Sequence, residues 1–272
     1  MIDSHHHLWA LAEGPYEFPR PDDALLYRDM LVEELAESCR PAGVNRTIVV
    51  QTSALEWETE YLLGLAKQTD LLAGVVGWCD LEMAGAGATL DRYIGLGPLV
   101  GIRPMLQRYD DVSFMLDKRV SRSLDEVVRR GLAFDALVDV RHLEIIAQLA
   151  DLHPELRIVI DHMGKPWRAP QDFARWTAGM QALGKRVNCS VKLSGFPFNA
   201  NDGQPWHDYA GICRSLHDWF GSARLMWGTD WPLLTRHARY AEAVAAISRM
   251  FRTPDIDMIG TTNAQRIYRL AA

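Results

Sequence analysis

Short runs of β-branched and apolar residues alternate along this chain with longer stretches in which apolar residues recur every three or four positions. The short runs predict strands at Ile2 to Trp9, Arg46 to Thr52, Ala73 to Cys79 and Val100 to Leu106. Four more follow at Leu132 to Val138, Arg157 to His162, Val187 to Leu193 and Arg224 to Thr229. Several are nearly continuous in apolar residues, as strands covered on both faces are. Between them, Met30 to Gly43 carries Leu31, Val32, Leu35, Ala36 and Cys39 at helical spacing, and then Pro41 and Gly43 as stop signals. Arg141 to Leu152 has the same period, with Pro154 just beyond. Ala241 to Met250 and Ala264 to Leu270 predict closing helices. Strands alternating with helices over 272 residues predict a single (β/α)₈ barrel of the TIM type, an α/β fold in one domain over 1–272. A doubly wound open sheet is the alternative. No GxGxxG follows the first strand and no GxxxxGK[ST] occurs, so the usual nucleotide-binding marks of that fold are missing.

Composition narrows the choice. Hydrophobic residues make up 48% and charged residues 24%, the balance of a folded globular protein. Lys and Arg number 29 against 35 Asp and Glu, a net charge of −6 with no basic run. Nucleic acid and anionic membranes are therefore poor partners, and a small-molecule substrate is expected. Cys39, Cys79, Cys189 and Cys213 form no CxxC pair, which argues against a zinc knuckle or a dithiol site. Scattered thiols, no secretory leader pattern and no apolar run of about 20 residues lead to the expectation of a soluble cytoplasmic protein.

A barrel carries its chemistry at the C-terminal ends of its strands. Those ends read His5 and His7, Gln51 with Ser53, Asp80, Arg103, Asp135, Asp161 and His162, Lys192 with Ser194, and Asp230. His5 and His7 are two apart on a strand, so both can face the barrel axis, with Ser4 and His6 facing outward. Paired imidazoles suit a divalent metal or a polarised carbonyl. In IVIDHMGKP, His162 stands at the strand tip and Asp161 is expected to turn to the other side. A satisfied buried histidine and a turn-capping Asp would give the same sequence. Asp230 in MWGTDWP suits a general base or a metal ligand, and a helix N-cap followed by Pro232 equally.

Arg103 in GIRP offers a fork for a carboxylate or ester oxygen; an ion pair with Asp135 or Asp80 is the structural alternative. Arg103, Lys192, Trp9 and Gln51 are the candidate substrate contacts. The stretch from Gly195 to Trp206 lacks a hydrophobic period and suits a lid or specificity loop, where Asn199, Asn201, Asp202 and Gln204 could meet hydroxyls. Trp9, Tyr16, Trp78, Trp167, Trp206 and Trp231 fall near the strand tips and could flank a sugar-like ring.

Taken in order, Asp3-x-His5-x-His7, DHxGKP at Asp161 to Pro166, K-x-S-G at Lys192 to Gly195, GTDWP at Gly228 to Pro232 and NAxRxY at Asn263 to Tyr268 resemble the amidohydrolase superfamily. The match is to its branch of lactone hydrolases, which holds sugar-acid lactonases and 2-pyrone-4,6-dicarboxylate lactonase, and it spans essentially the whole chain. The resemblance implies a hydrolase acting on a carboxylic ester, the lactone ring, as a step in carbohydrate metabolism. Asp230 is expected as general base toward water, with His5, His7 and His162 stabilising the oxyanion. Binuclear members of the superfamily use a strand-four lysine, where this chain has Arg103. Members with a full mononuclear set have a histidine ending strand five, where this chain has Asp135. A two-metal centre is therefore not expected. The cofactor expectation is none, or one divalent metal, zinc by preference, at His5, His7 and Asp230. A sugar-acid (aldono) lactone is preferred to a pyrone dicarboxylate, which would need several inward cations. A metal-dependent decarboxylase and a non-catalytic sugar-acid-binding barrel are the other readings.

Overall fold

The computed structural model describes residues 1–166, 170–196 and 209–271. The strands are β1 (Ile2–His6), β2 (Arg46–Val50), β3 (Leu72–Gly77), β4 (Leu99–Ile102), β5 (Ala133–Ala136), β6 (Arg157–Ile160), β7 (Cys189–Leu193) and β8 (Leu225–Trp227). All neighbours pair in parallel, in sequence order from β1 to β8. The ring closes just beyond β8, where Asp230 N–H donates to the His5 carbonyl at 2.8 Å and His7 N–H donates to the Trp231 carbonyl at 2.7 Å. This is the (β/α)₈ barrel expected from the alternation of patterns.

Eight longer helices cover the outside: α1 (Val32–Cys39), α2 (Glu56–Ala66), α3 (Ala86–Leu96), α4 (Lys118–Arg129), α5 (Leu143–Leu152), α6 (Phe173–Gly184), α7 (Tyr209–Phe220) and α8 (Tyr240–Met250). Every strand is shorter than its apolar run: in all but β7 the last residues of the run leave the ladder, and β7 instead begins late, at Cys189. A large apolar cluster fills the layer between helices and strands. A second cluster lies inside the barrel: Ile2, Ile48, Val50, Val76, Val100, Ala133, Val159 and Met226 pack with Ala264, Ile267 and Tyr268 of the closing segment. The bottom of the barrel is thus sealed and dry, and the top is left for chemistry. Among the described residues, no helix is long and apolar enough to cross a membrane. The four cysteines are buried and form no disulfide.

Candidate active site

The first strand presents its histidines through a register shift between Asp3 and His6. Such a bulge changes which side chains face inward. Ile2 joins the interior cluster, and His5 and His7 nevertheless point inward above it. His6 faces outward as expected but is wholly buried, with Nε2 2.9 Å from Thr47 Oγ1. Asp3 turns away from the axis and clips the ring shut. Its carboxylate accepts from His5 N at 3.1 Å, Thr229 N at 2.9 Å, Thr229 Oγ1 at 2.5 Å and the Tyr240 hydroxyl at 2.7 Å.

Asp230 follows this clip in a left-handed conformation, φ 60°. An L-residue there costs of order 1–3 kcal/mol, and the conformation persists because its N–H and C=O are both bonded, to His5 and Leu234. The carboxylate stands among three imidazoles. Asp230 Oδ1 is 3.2 Å from His7 Nε2, 3.7 Å from His5 Nε2 and 4.0 Å from His162 Nε2. No side-chain cap bond to a helix is formed by Asp230, which settles the N-cap alternative for this residue. His162 also sits at positive φ, 52°, in the turn after β6. Glycine is required at two points of close approach. A Cβ on Gly195 (φ 69°) would lie 2.7 Å from His162 Nδ1, and one on Gly228 would lie 2.7 Å from the His5 Cβ.

A hydrogen bond assigns the proton of His7. His7 Nδ1 lies 2.5 Å from the Val50 carbonyl, which can only accept, so Nδ1 carries the hydrogen and a neutral His7 has a bare Nε2. That lone pair faces the Asp230 carboxylate at 3.2 Å. Two acceptors in contact call for a proton or a cation between them. His5 Nδ1 lies 3.3 Å from Lys192 Nζ and 3.4 Å from Asp161 Oδ1, and its Nε2 lies 3.7 Å from Asp230. His162 Nδ1 lies 2.9 Å from the Ser194 hydroxyl, which can donate or accept, and its Nε2 lies 4.0 Å from the Asp230 carboxylate.

His5 Nε2, His7 Nε2 and an Asp230 oxygen all lie within 4.8 Å of one another. Two imidazole nitrogens and a carboxylate, each imidazole fixed from behind, fit one zinc-like ion with open positions. His5, Asp161 and His162 form a second grouping of donor atoms. It shares His5 with the first, and the Arg103 guanidinium (Nη1) stands 3.5 Å from Asp161 Oδ2. A fixed cation there disfavours a second metal.

Burial alone would raise the Asp230 carboxyl, but His162, His7 and His5 pull it below the usual carboxylate range. Burial pushes His162 down to about 4, so its ring is neutral at neutral pH. His5 is also held well below its ordinary value, again chiefly by burial.

Three of the expected substrate contacts do not reach the cavity. Lys192 is wholly buried beneath it, 2.5 Å from Asp135 Oδ2 and 3.3 Å from Asp161 Oδ1. Gln51 is fully buried, with its amide spent on Ser53 and Thr59. Trp9 is fully buried and donates its indole N–H to the Arg28 carbonyl at 2.7 Å. Each stands at or just past the end of its run, but carries partners of its own that hold it in the wall. Arg103 does line the cavity, with Nη1 3.4 Å from His5 Nε2 and Nη2 bonded to the Gln51 carbonyl. Its acidic neighbour is Asp161, not the expected Asp135 or Asp80. Asp161 faces inward, contrary to expectation, because it stands two residues beyond Val159, which already points into the barrel, and the left-handed turn that follows brings His162 to the same side.

The cavity holds about 480 Å³ above this floor. Its walls include Phe18, Leu137, Phe196, Leu233 and Leu234, and its rim includes Glu17, Arg20, Gln107, Arg108, Lys165 and Arg236. Arg108 pairs with Glu17 at 2.6 Å, Arg236 pairs with Asp23, and Lys165 bonds Gln107. Among the described residues, the expected aromatic cluster does not form the walls: Trp231, like Trp9, is buried. Trp167, Trp206, Asn199, Asn201, Asp202 and Gln204 lie outside the described residues. The rim residues come from irregular loops, which carry no periodic signal in the sequence. Glu58 was also invisible there. It is buried under the β2–α2 loop and accepts from Thr52 N, Thr52 Oγ1 and Ser53 N at 2.6, 2.8 and 2.7 Å.

A closed barrel with two histidines on β1, a histidine after β6 and an aspartate after β8 around one cavity defines a barrel hydrolase with a place for one metal. The chain belongs to the amidohydrolase family, whose model matches residues 2–270. It is 37% identical over 232 residues to an L-fucono-1,5-lactonase of Burkholderia ambifaria, covering 85% of this chain and 80% of that protein. An L-fucono-1,5-lactonase of Burkholderia multivorans is 32% identical over 259 residues, with 91% and 87% covered. A solved amidohydrolase of Burkholderia multivorans superposes with a TM-score of 0.90 at 29% identity, covering 99% of both chains, and has been crystallised with HEPES and with zinc.

Proposed function

We propose that this amidohydrolase opens the ring of a sugar-acid 1,5-lactone of the L-fucono type. The carrying observation is one carboxylate among three imidazoles at the floor of a cavity, in a chain similar over most of its length to two L-fucono-1,5-lactonases. A cavity of about 480 Å³ is of the size that takes a single sugar ring. Its apolar wall of Phe18, Leu137, Phe196, Leu233 and Leu234 suits the methyl group of a 6-deoxy sugar, and its polar rim suits ring hydroxyls.

Water is held against Asp230, which takes its proton as the oxygen attacks the lactone carbonyl carbon. The carbonyl π electrons move to its oxygen, and donors on His162 and Arg103 face the resulting oxyanion. Collapse re-forms the carbonyl and breaks the bond to the ring oxygen. That oxygen takes the proton Asp230 received and leaves as a hydroxyl of the same molecule, so water is added across the ester and the new carboxylic acid ionises in solution. Where a divalent ion is bound, His5, His7 and Asp230 hold it, and it supplies Lewis acidity toward water and the carbonyl oxygen. Asp230 is ionised throughout the neutral range, held so by its imidazoles.

Lys192 is engaged by Asp135 and Asp161 below the floor, so a dicarboxylate would find fewer inward cations than the sequence offers. This favours a polyhydroxy lactone over a pyrone dicarboxylate. A cytoplasmic location fits four cysteines that form no disulfide. Turnover of L-fucono-1,5-lactone, followed with a pH indicator with and without chelator, tests the reading. No acid release from that lactone or from other aldonolactones would overturn it.

A further inference from the structure

Behind the cavity wall, at the start of α2, lies a buried carboxylate that the hydrolysis does not use. Glu58 is the third residue of that helix and is wholly buried. A glutamate at this position commonly turns back to the backbone N–H of the N-cap, which here is Leu55. Glu58 reaches past the cap instead. Its Oε1 accepts from Thr52 N at 2.6 Å and its Oε2 accepts from Ser53 N at 2.7 Å. The Thr52 hydroxyl lies 2.8 Å from Oε1 and 3.2 Å from the Phe18 carbonyl; both accept, so its one hydrogen serves either in turn.

The other side of this loop holds part of the cavity wall. Glu17 N–H donates to Ser53 Oγ at 3.1 Å, and Ala54 N–H donates to Glu17 Oε2 at 3.1 Å. The same oxygen of Glu17 accepts from Arg108 across the rim at 2.6 Å. Phe18 follows, backed edge-to-face by the buried Trp9 ring at a centroid distance of 5.6 Å. Glu17, Phe18, Thr52 and Arg108 all line the cavity. The segment that carries Glu17 and Phe18 is neither helix nor strand, so no ladder of its own fixes it. Its hold on the barrel runs through Ser53 and Ala54, and the buried carboxylate fixes the loop that presents them.

We propose that Glu58 is a positioning residue for substrate binding: by fixing the Thr52 and Ser53 amides it sets the β2–α2 loop on which Glu17 and Phe18 hang, and so holds that wall against the lactone ring. Its effect on the kinetics rests on the lactonase reading; its effect on the wall segment does not.

Glu58→Gln in the full chain keeps the volume but not the pair of acceptors. The two backbone donors sit one on each oxygen, so whichever way the amide turns, its NH₂ meets an N–H. KM for L-fucono-1,5-lactone should rise ~10-fold or more, the lower end of what one methyl contact in an apolar pocket is worth. The turnover number should stay within about three-fold, because none of the reacting groups is touched. Hydrogen exchange at the Glu17 amide, protected in the wild type by its bond to Ser53, should speed up. A carboxylate that only supports the fold would lower the melting temperature, leave KM within about two-fold and leave the Glu17 amide protected, and that result overturns the proposal. A fall in kcat at unchanged KM overturns it too. If Glu58→Gln does not fold, Ser53→Ala cuts the same route one step nearer the cavity: KM should rise as above, and an unchanged KM there overturns the proposal. If the wild-type chain turns over no lactone, the functional reading fails and exchange at the Glu17 amide still decides the role of Glu58.

Discussion

Asp230→Asn exchanges one oxygen for an NH₂ at the point where three imidazoles meet. The side chain keeps its shape, and the positive-φ backbone suits Asn at least as well as Asp. The base is lost, because an amide cannot take a proton from water. The expected fall in kcat is ~10²–10⁴-fold, equivalent to roughly 3–5 kcal/mol of transition-state free energy. Stability should move the other way. In the wild type, Asp230 Oδ1 lies 3.2 Å from His7 Nε2, and with Nδ1 committed to the Val50 carbonyl the neutral ring has no hydrogen to offer there. The amide NH₂ can donate to that nitrogen, a hydrogen bond worth about 1 kcal/mol, and a buried charge disappears as well. In the presence of chelator, the melting temperature should therefore hold or rise by about 2–4 °C for each kcal/mol gained. Lactone turnover and calorimetry on the same preparation read both effects. Turnover within a few-fold of wild type would end the general-base assignment. A large loss of rate accompanied by a lower melting temperature would show that Asp230 supports the fold, not the chemistry.

Zinc should bind at one equivalent per chain and be weakened by His7→Ala; two equivalents by metal analysis would refute the place given to Arg103. Asp3→Asn leaves one acceptor oxygen for four donors, so about 2–4 kcal/mol should be lost, read as a melting temperature lower by roughly 5–15 °C. No change would show that the clip between β1 and Thr229 is dispensable. Burial pushes His6 down to about 3, so the folded chain keeps it neutral while the unfolded chain protonates it below about 6.5. Its contribution is full above that pH and is lost as pH falls from 6.5 toward 3, at ~1.4 kcal/mol per pH unit. His6→Gln should flatten melting curves over that window, and an unchanged slope would refute the assignment.

The barrel was legible in the sequence because it depends on local pattern. A β-branched apolar run can only be a strand covered on both faces, and eight such runs in alternation leave few topologies. The strand-tip rule likewise found His5, His7, Arg103, His162 and Asp230, since a polar residue closing an apolar run must face either the barrel mouth or a partner. The same rule failed for Gln51, Lys192 and Trp9, because which of those two it faces is not a local property. Lys192 ends beneath the cavity because Asp135 and Asp161, distant in sequence, lie close enough to hold its ammonium. Asp161 and His162 both reach the site, Asp161 in register with the inward Val159 and His162 through a left-handed turn, which alternation along a strand cannot express. Glu17, Arg20, Gln107 and Arg236 come to the rim on irregular loops whose paths are set by packing. Sequence alone determined the fold, the family and the polar residues that meet at the floor of the cavity. The tertiary structure decided which partners each histidine keeps and which cations remain for substrate, because protons and charges are placed by contacts between residues far apart along the chain.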